Sequence, residues 1–247
     1  MINDLYILIP SRIGSTRLEN KPLINLSGKS LIQRVLNNAL EITENAFVAT
    51  DSDLIKNNII DISSNIIMTS ADHISGTDRI CEAANILNID NDAFILNLQG
   101  DEPFVPKKLI ERILFDYSNN VCDVITVSTE INSNEEINNP NCVMVETDKN
   151  QFATKFLRTG NVHNPRRHVG IYGYSFNTLK ELVKLKPTKN EIKFKLEQLR
   201  FLENGYSIYV SEFNEEIPPG IDTAEDVILA DKYLSLIHIS EPTRPLI

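Results

Sequence analysis

Three cationic side chains follow a short apolar run near the start of the chain. Arg12, Arg17 and Lys21 come after residues 5–9, which are apolar and rich in branched side chains, and the small residues 14–16 lie between the first two cations. Small residues let backbone N–H groups approach an anion closely, and the cations neutralise its charge. The segment therefore predicts an anion-binding loop. The alternative is a solvated basic turn. This alternative is disfavoured because the chain is acidic almost everywhere else.

Two carboxylates are candidates for a metal site. Asp101 closely follows residues 93–98, the most apolar segment of the chain, and Asp222 follows a Pro-Pro-Gly-Ile segment. Mg²⁺ prefers oxygen ligands, usually one or two carboxylates, and lets substrate phosphates and water complete its octahedron. Asp101 suits that role if its strand end faces the cationic loop. Asp222 is equally well explained as a helix N-cap, so both interpretations stay open.

A cationic loop opposite a metal-binding carboxylate is typical of phosphoryl or nucleotidyl transfer, where catalysis consists mostly of positioning and charge neutralisation. Neither the GxxxxGK[ST] pattern of a Walker site nor the GxGxxG pattern of a dinucleotide site occurs in the chain. The predicted site therefore belongs to another kind of nucleotide-binding fold.

The elements that would position these residues alternate regularly in the first half of the chain. A strand in an open α/β sheet delivers its following loop to the carboxyl edge, where ligands bind. This alternation predicts a parallel sheet with right-handed crossovers. The predicted strands are residues 5–9, 47–50, 66–68 and 93–98, and the predicted helices are residues 31–40, 53–62 and 77–87, with Ser30 and Thr77 as N-caps.

In the second half of the chain, strands and helices no longer alternate regularly. Three predicted strands follow one another without a helix between them, so part of this region should be antiparallel. These strands are residues 123–129, 142–147 and 152–157; further strands are predicted at 169–174 and 206–210, and helices at 177–185, 191–203 and 222–233. Residues 1–234 are predicted to form a single domain. Residues 235–247 resemble the in-frame translation of a sequencing adapter and are predicted to be a non-native tail.

Composition limits the possible partners and compartment. The chain has 247 residues, 42% of them hydrophobic, and a net charge of −10, which argues against a nucleic-acid or anionic-membrane surface. Cys81, Cys122 and Cys142 are widely spaced, without a zinc pattern or a disulfide framework. We find no signal-peptide pattern and no apolar stretch near the roughly 18 residues of a membrane span. These features predict a cytoplasmic protein.

Six segments, in order, resemble those of the 3-deoxy-manno-octulosonate cytidylyltransferase (CMP-Kdo synthetase) family. They are Ile9-Pro-Ser-Arg-x-x-Ser-Thr-Arg-Leu-x-x-Lys-Pro-Leu, Ser75-Gly-Thr-Asp-Arg, Asn97-x-Gln-Gly-Asp-Glu-Pro, His168-Val-Gly-Ile-Tyr-Gly-Tyr, Leu196-Glu-Gln-Leu-Arg and Gly220-Ile-Asp-Thr-Ala-Glu-Asp. The resemblance implies a nucleotide-diphospho-sugar-transferase-like α/β fold, a Rossmann-type mixed and mostly parallel sheet flanked by helices, with an inserted antiparallel dimerisation subregion. It also implies a homodimer and a Mg²⁺-dependent reaction, in which CTP and an eight-carbon keto-sugar acid give a CMP-sugar and pyrophosphate for lipopolysaccharide synthesis.

The same resemblance implies roles for individual residues. The nucleotide would contact Ser11, Arg12, Ser15, Arg17, Lys21, Ser75 and Arg79. The sugar acid would contact Gln99, Arg158, His168, Tyr172, Glu197 and Gln198. The metal would be held by Asp101 and Asp222, which with Arg12 and Lys21 form the catalytic set.

One departure from the family bears on the substrate. Residues 159–167 are much shorter than the family's lid-like loop, and Arg166 and Arg167 are candidates to replace a sugar-binding cation of that loop. This leaves an amino-substituted octulosonate open as the substrate. Two further alternatives are a cytidylyltransferase for another sugar acid, such as a nonulosonate, and a catalytically idle nucleotide-sugar-binding protein. For His168, the alternative to a substrate role is a buried histidine with its hydrogen bonds satisfied.

Overall fold

The computed structural model describes residues 4–14, 17–131, 134–137, 139, 142–158, 160 and 163–240, and the side chains of all of these except 134, 135 and 237–240. The strands are β1 (Leu5–Ser11), β2 (Asn25–Leu26), β3 (Lys29–Ser30), β4 (Ala46–Thr50), β5 (Ile66–Met68), β6 (Phe94–Asn97), β7 (Val124–Thr129), β8 (Met144–Thr147), β9 (Ala153–Leu157), β10 (Arg166–Ser175) and β11 (Ile208–Glu212). The helices are α1 (Leu31–Leu40), α2 (Asp53–Ile60), α3 (Gly76–Ile86), α4 (Lys107–Asn119), α5 (Asn134–Ile137), α6 (Phe176–Leu182), α7 (Lys189–Phe194), α8 (Gln198–Glu203) and α9 (Ala224–Ser240), with a short 3-10 turn at Lys21–Leu23.

Strand β1 lies inside the main sheet and is covered on both faces. It pairs in parallel with β4 on one side and with β6 on the other. Ile7, Leu8 and Ile9 are all 0% exposed, and they alternate between two hydrophobic layers, Leu8 packing in one layer and its two neighbours in the other. A strand buried on both faces needs a continuous apolar run, so the predicted buried parallel strand is confirmed.

The remaining sheet is mixed, as predicted. Among the described residues the strand order is β11-β7-β10-β6-β1-β4-β5, and β10 runs antiparallel to both β6 and β7. The antiparallel pair β8–β9 attaches to the start of β10 and lies off this path. The predicted fold class, a mostly parallel mixed sheet flanked by helices with an antiparallel addition, is confirmed.

Helix α3 begins differently from the sequence prediction. Ser75, and not Thr77, is its N-cap: the Ser75 hydroxyl accepts from the Asp78 N–H at 3.1 Å, and the Asp78 carboxylate accepts from the Ser75 N–H at 3.3 Å. This reciprocal capping box places the N-cap two residues earlier than predicted. The Thr77 hydroxyl is thereby left for another partner.

Two further helical predictions need correction. The single helix predicted over residues 191–203 is two helices, α7 and α8, because Lys195 takes a left-handed conformation (φ 54°) that ends α7. Helix α4 was not predicted at all. Its buried Leu109, Ile110 and Ile113 recur at helical spacing, a pattern that would have located it.

Helix α9 extends to Ser240, past its predicted end at residue 233 and into the segment predicted to be a non-native tail. Residues 241–247 lie outside the described residues, and the tail assignment stays a prediction. Within the described part of the chain, no helix is long and apolar enough to cross a bilayer.

Candidate active site

A cleft of about 410 Å³ opens at the carboxyl edge of the sheet. Its walls come from the end of β1 and the loop after it, the loop between β5 and α3, the loop after β6, and the segment before α9. The lining residues are Pro10, Ser11, Arg12, Gly14, Arg17, Lys21, Pro22, His73, Ile74, Ser75, Gly76, Arg79, Gln99, Gly100, Asp101 and Asp222. The cationic loop and both predicted metal ligands therefore share one cavity.

Lys21 connects the two carboxylates. Its Nζ donates to Asp101 Oδ2 at 2.6 Å and to Asp222 Oδ1 at 2.8 Å, partners that lie 80 and 201 residues further along the chain. The Lys21 side chain is only 13% exposed. Burial alone would lower the pKa of Lys21, but the attraction and hydrogen bonds of Asp101 and Asp222 outweigh it, so the pKa is raised. Lys21 is therefore held as a cation.

The backbone brings the two carboxylates together. The Ile221 N–H donates to the Asp101 carbonyl oxygen at 2.9 Å, which ties the loop after β6 to the segment before α9. Gly220 is needed here, because a Cβ at this position would lie 2.9 Å from Glu102 Oε1 and 3.2 Å from the Asp101 carbonyl oxygen. Burial, together with the neighbouring Asp101 carboxylate, raises the pKa of Glu102 to about 8.

The side chain of Asp222 does not cap α9. Thr223 and Asp226 cap the helix instead. The Asp226 N–H donates to Thr223 Oγ1 at 3.3 Å, and Asp226 Oδ2 accepts from the Thr223 N–H at 2.8 Å. The Asp222 carboxylate instead faces the cations, with Oδ2 lying 3.1 Å from Arg17 Nη2. Of the two interpretations left open for Asp222, the structure favours the one at the cleft.

The predicted nucleotide contacts near β1 line the cleft as a group. Arg12 and Arg17 are exposed in it. Ser11 is 6% exposed, and its hydroxyl has no hydrogen-bond partner among the described residues. A buried hydroxyl without a partner is costly, so this group is suited to receive a ligand atom. Ser15, the remaining predicted contact of this loop, lies outside the described residues.

Arg79 also borders the cleft, but its guanidinium is largely engaged by the protein. It is 2% exposed, and it donates from Nη2 to Asp51 Oδ2 at 3.0 Å and from Nη1 to Thr69 Oγ1 at 2.7 Å. Arg79 thus braces the ends of β4 and β5 behind the cleft. Ser75 lines the same wall while capping α3.

Of the six predicted sugar contacts, one is among the residues that line the cleft. Gln99 lines the cleft, and its Nε2 donates to Asn97 Oδ1 at 3.1 Å. Glu197 lies deeper: its Oε2 accepts from Thr77 Oγ1 at 2.7 Å, whereas its buried Oε1 has no hydrogen-bond partner among the described residues. Burial raises the pKa of Glu197.

His168 and Tyr172 form a buried aromatic pair beside Phe156. Their ring centroids are 5.5 Å apart, and His168 Nε2 lies 2.9 Å from the Thr126 hydroxyl. Burial, with a contribution from Arg158, lowers the pKa of His168 to about 3. His168 is therefore neutral and hydrogen-bonded to the protein, as the alternative interpretation has it, and its substrate role stays a prediction.

Other candidates lie away from the cleft. Arg158 donates from Nε to the Phe194 carbonyl oxygen at 3.4 Å, and Gln198, 3% exposed, begins α8. Arg166 donates to Ser128 Oγ at 2.9 Å, and Arg167 to Thr129 Oγ1 at 3.0 Å, so both guanidinium groups bind the adjacent strand β7. Neither arginine is among the residues that line the cleft.

Sequence reasoning missed part of the cleft wall. His73 and Ile74 both line it, although no role was assigned to them. They belong to the loop between the third predicted strand and the helix after it. A loop in that position opens at the carboxyl edge of a parallel sheet, and this signal would have found them.

The arrangement can bind an anion and a divalent cation together. Across the residues that the structure describes, no group of three or more His, Cys, Asp or Glu side chains could hold a metal ion by itself. Two carboxylates at one cleft nevertheless match the usual protein share of a Mg²⁺ site, the remaining ligands coming from phosphates and water. Phosphate oxygens of a bound ligand, together with water, would complete such a site.

Comparison with known proteins identifies a consistent set of relatives. A family model described as cytidylyltransferase matches residues 6–215. The 3-deoxy-manno-octulosonate cytidylyltransferase of Polynucleobacter necessarius is 38% identical over 236 residues, which cover 91% of this chain and 93% of the relative. The protein of the same name from Vibrio vulnificus is 34% identical over 93% of this chain and 97% of its own length.

Solved structures agree in fold. CMP:2-keto-3-deoxy-manno-octonic acid synthetase, solved in complex with CTP, aligns with a TM-score of 0.87 and 31% identity, covering 95% of this chain and all of its own. A glucose-1-phosphate thymidylyltransferase from Bacillus anthracis, described as putative in its structure report, aligns with a TM-score of 0.70 at 13% identity, a likeness of fold alone.

Proposed function

The chain belongs to the 3-deoxy-manno-octulosonate cytidylyltransferase family, and we propose that it transfers the cytidylyl group of CTP to a 3-deoxy-octulosonate sugar acid. The observation that carries this proposal is the Lys21 bridge between Asp101 and Asp222 at the edge of the cationic cleft. It brings three motifs of the family into one cavity, although they are far apart in the sequence.

The nucleotide end of the cleft is suited to a triphosphate. Arg12, Arg17 and Lys21 supply positive charge along one wall. The Ser11 hydroxyl is a buried group without a partner in the described part of the chain, and a phosphate oxygen would satisfy it. An arginine guanidinium binds phosphate with paired hydrogen bonds, which orients the nucleotide as well as attracting it.

We include Mg²⁺ in the proposal because the donor set suits it. Asp101 and Asp222 would hold the ion, and their oxygen ligands are those that Mg²⁺ prefers. When bound, Mg²⁺ would neutralise phosphate charge and polarise the α-phosphate. Lys21 would then contribute its positive charge to the phosphates, since it lies between the same two carboxylates.

The sugar acid would bind beside the phosphates. We propose that its hydroxyl and carboxylate groups are recognised by Gln99, Arg158, His168, Tyr172, Glu197 and Gln198. Its anomeric hydroxyl would lose its proton to solvent and form the new bond to the α-phosphorus, as the bond from the α-phosphorus to the oxygen that bridges to the β-phosphate breaks and pyrophosphate leaves. The protein's part is orientation and charge neutralisation, so a covalent nucleophile is not required.

Pyrophosphate release tests the proposal. The protein is incubated with CTP, Mg²⁺ and either an octulosonate, an amino-substituted octulosonate or a nonulosonate. Turnover with octulosonates supports the proposal, turnover with the nonulosonate alone favours another sugar acid, and CTP binding without turnover favours the idle binding protein. In a parallel assay, Asp101→Ala should abolish turnover while the circular dichroism spectrum stays that of the folded protein.

The proposal extends to assembly and compartment. The family resemblance supports a homodimer, and sedimentation equilibrium of the purified chain measures its mass directly. The three free cysteines support a reducing cytosol, where the product would serve lipopolysaccharide synthesis. Fractionation of cells that produce the protein tests this location.

A further inference from the structure

Thr77 makes a hydrogen bond between two distant parts of the site. It lies in the first turn of α3 and is 4% exposed, and its hydroxyl donates to Glu197 Oε2 at 2.7 Å across 120 residues of sequence. Gly76, the residue before it, lines the nucleotide cleft. The bond therefore runs from the wall of that cleft to a carboxylate expected at the sugar acid.

Neither partner is needed by its own helix. Ser75 caps α3, so the Thr77 hydroxyl is not needed as a cap. Glu197 precedes α8 but makes no side-chain capping bond to it. Helix capping therefore explains neither side chain. The hydrogen bond between them is best explained by the orientation that it gives to the Glu197 carboxylate.

Arg200 does not take the place of Thr77 at Glu197. Its guanidinium is committed to Glu191, with Nε donating to Oε2 at 2.9 Å and Nη2 contacting Oε1. From Glu197 Oε1 the nearest Arg200 nitrogen is 3.7 Å away, beyond hydrogen-bond distance. The Thr77 hydroxyl thus makes the stronger of the two side-chain hydrogen bonds that orient this carboxylate, the other coming from Ser75.

The orientation leaves one oxygen available. Glu197 Oε1 is buried and has no hydrogen-bond partner among the described residues. A buried acceptor of this kind requires a donor, and a sugar hydroxyl is one. Burial first, and the nearby Glu197 carboxylate second, raise the pKa of both Tyr172 and Tyr174.

We propose that Thr77 is a positioning residue, which fixes the Glu197 carboxylate for recognition of the sugar acid and couples it to the wall of the nucleotide cleft. This inference rests on the proposed function. It assigns Thr77 no contact with the reacting atoms. Its effect should therefore appear in the binding of one substrate and not of the other.

Steady-state kinetics of Thr77→Val and Thr77→Ser tests the proposal. Valine keeps the shape but removes the donor, so the KM for the sugar acid should rise about tenfold or more, as expected when a hydrogen bond to a charged group is lost. The KM for CTP should change less than about twofold, since Thr77 lies behind the nucleotide wall. Serine retains the hydroxyl and should restore most of the sugar affinity.

A double-mutant cycle and a matched control complete the experiment. In a Glu197→Gln background, Thr77→Val should add little, because the two residues act as a unit. Thr178→Val is the control: Thr178 also lies in the first turn of a helix, and its hydroxyl contacts Ser175 away from the cleft. This variant should leave both KM values unchanged.

The outcomes distinguish a failure of the proposed role of Thr77 from a failure of the proposed function. Equal increases in both KM values for Thr77→Val, an unchanged sugar KM, or failure of serine to rescue would each overturn the role of Thr77 while leaving the proposed function standing. A wild-type protein that releases no pyrophosphate from CTP with any octulosonate overturns the proposed function, and the inference with it.

Discussion

The Lys21 ammonium nitrogen lies 2.6 Å from the Asp101 carboxylate, and the two residues are 80 positions apart in the chain. The same nitrogen reaches Asp222 at 2.8 Å. Lys21 thus holds the two carboxylates together at the edge of the cleft, and Arg17 Nη2, 3.1 Å from Asp222 Oδ2, supplies a second positive charge.

Replacing Lys21 by Met should therefore damage the site more than the fold. The variant loses the bridging charge and brings two carboxylates into direct repulsion, so we expect kcat/KM for CTP to fall at least about 100-fold, in the range seen when a preorganised charged group is removed. Pyrophosphate release measures this. Lys29→Met, at an exposed lysine of β3, is the matched control and should behave as wild type. A Lys21 variant with near-normal turnover would remove Lys21 from the catalytic set.

Gly220→Ala should displace the segment that carries Asp222. An added Cβ would lie 2.9 Å from Glu102 Oε1 and 3.2 Å from the Asp101 carbonyl oxygen, and the second contact involves backbone that cannot rotate away. We expect kcat to fall about tenfold or more, because small misplacements of catalytic groups are costly. Kinetics of the variant measures the loss.

A second substitution tests the steric cause. Glu102→Ala removes the nearer of the two contacts, so the double variant with Gly220→Ala should recover activity relative to Gly220→Ala once each is compared with its own Glu102 background. An additive result would mean that Gly220 acts through something other than this contact.

His168 should make the stability of the protein sensitive to acid. Burial, with a contribution from Arg158, lowers its pKa to about 3 in the folded state, against about 6.5 when unfolded. The unfolded chain therefore binds a proton first as the pH falls, and stability present above pH 6.5 is lost progressively between about pH 6.5 and 3. By linkage, the loss between pH 7 and pH 5 is about 2 kcal/mol.

Urea unfolding of wild type and His168→Gln at pH 7 and pH 5 measures that contribution. The glutamine variant lacks the titrating group, so its stability should fall by about 2 kcal/mol less over this interval. Equal losses in the two proteins would mean that His168 titrates normally in the folded state.

Removal of residues 235–247 should have little effect. Among the described side chains Leu234, 8% exposed, is the last buried one, whereas Leu236 is 59% exposed. We expect pyrophosphate release and the melting temperature to remain within experimental error of the full chain. A large fall in either quantity would show that these residues are part of the native structure.

Most strands and helices, and the residues that meet at the candidate site, are predictable from the amino-acid sequence. Short apolar runs rich in branched residues, such as residues 5–9, favour strands covered on both faces, and their alternation with amphipathic segments predicts a parallel sheet. The cations after β1 and the carboxylate after β6 were identified because strand ends meet at one edge of such a sheet. These signals are local in the chain, and local pattern is what a sequence displays directly.

The pairing of distant side chains is visible only in the folded chain. The division of α7 from α8 depends on the left-handed Lys195, a conformation that its residue type does not indicate. Thr77 looked like a helix cap until Ser75 was seen to fill that position, and only packing reveals its bond to Glu197 across 120 residues. The motif around Asp222 allows both a helix cap and a cleft residue, and only the folded chain brings its carboxylate within 2.8 Å of Lys21, 201 residues away. Contacts over such separations arise from how the chain folds back on itself, which no short segment encodes.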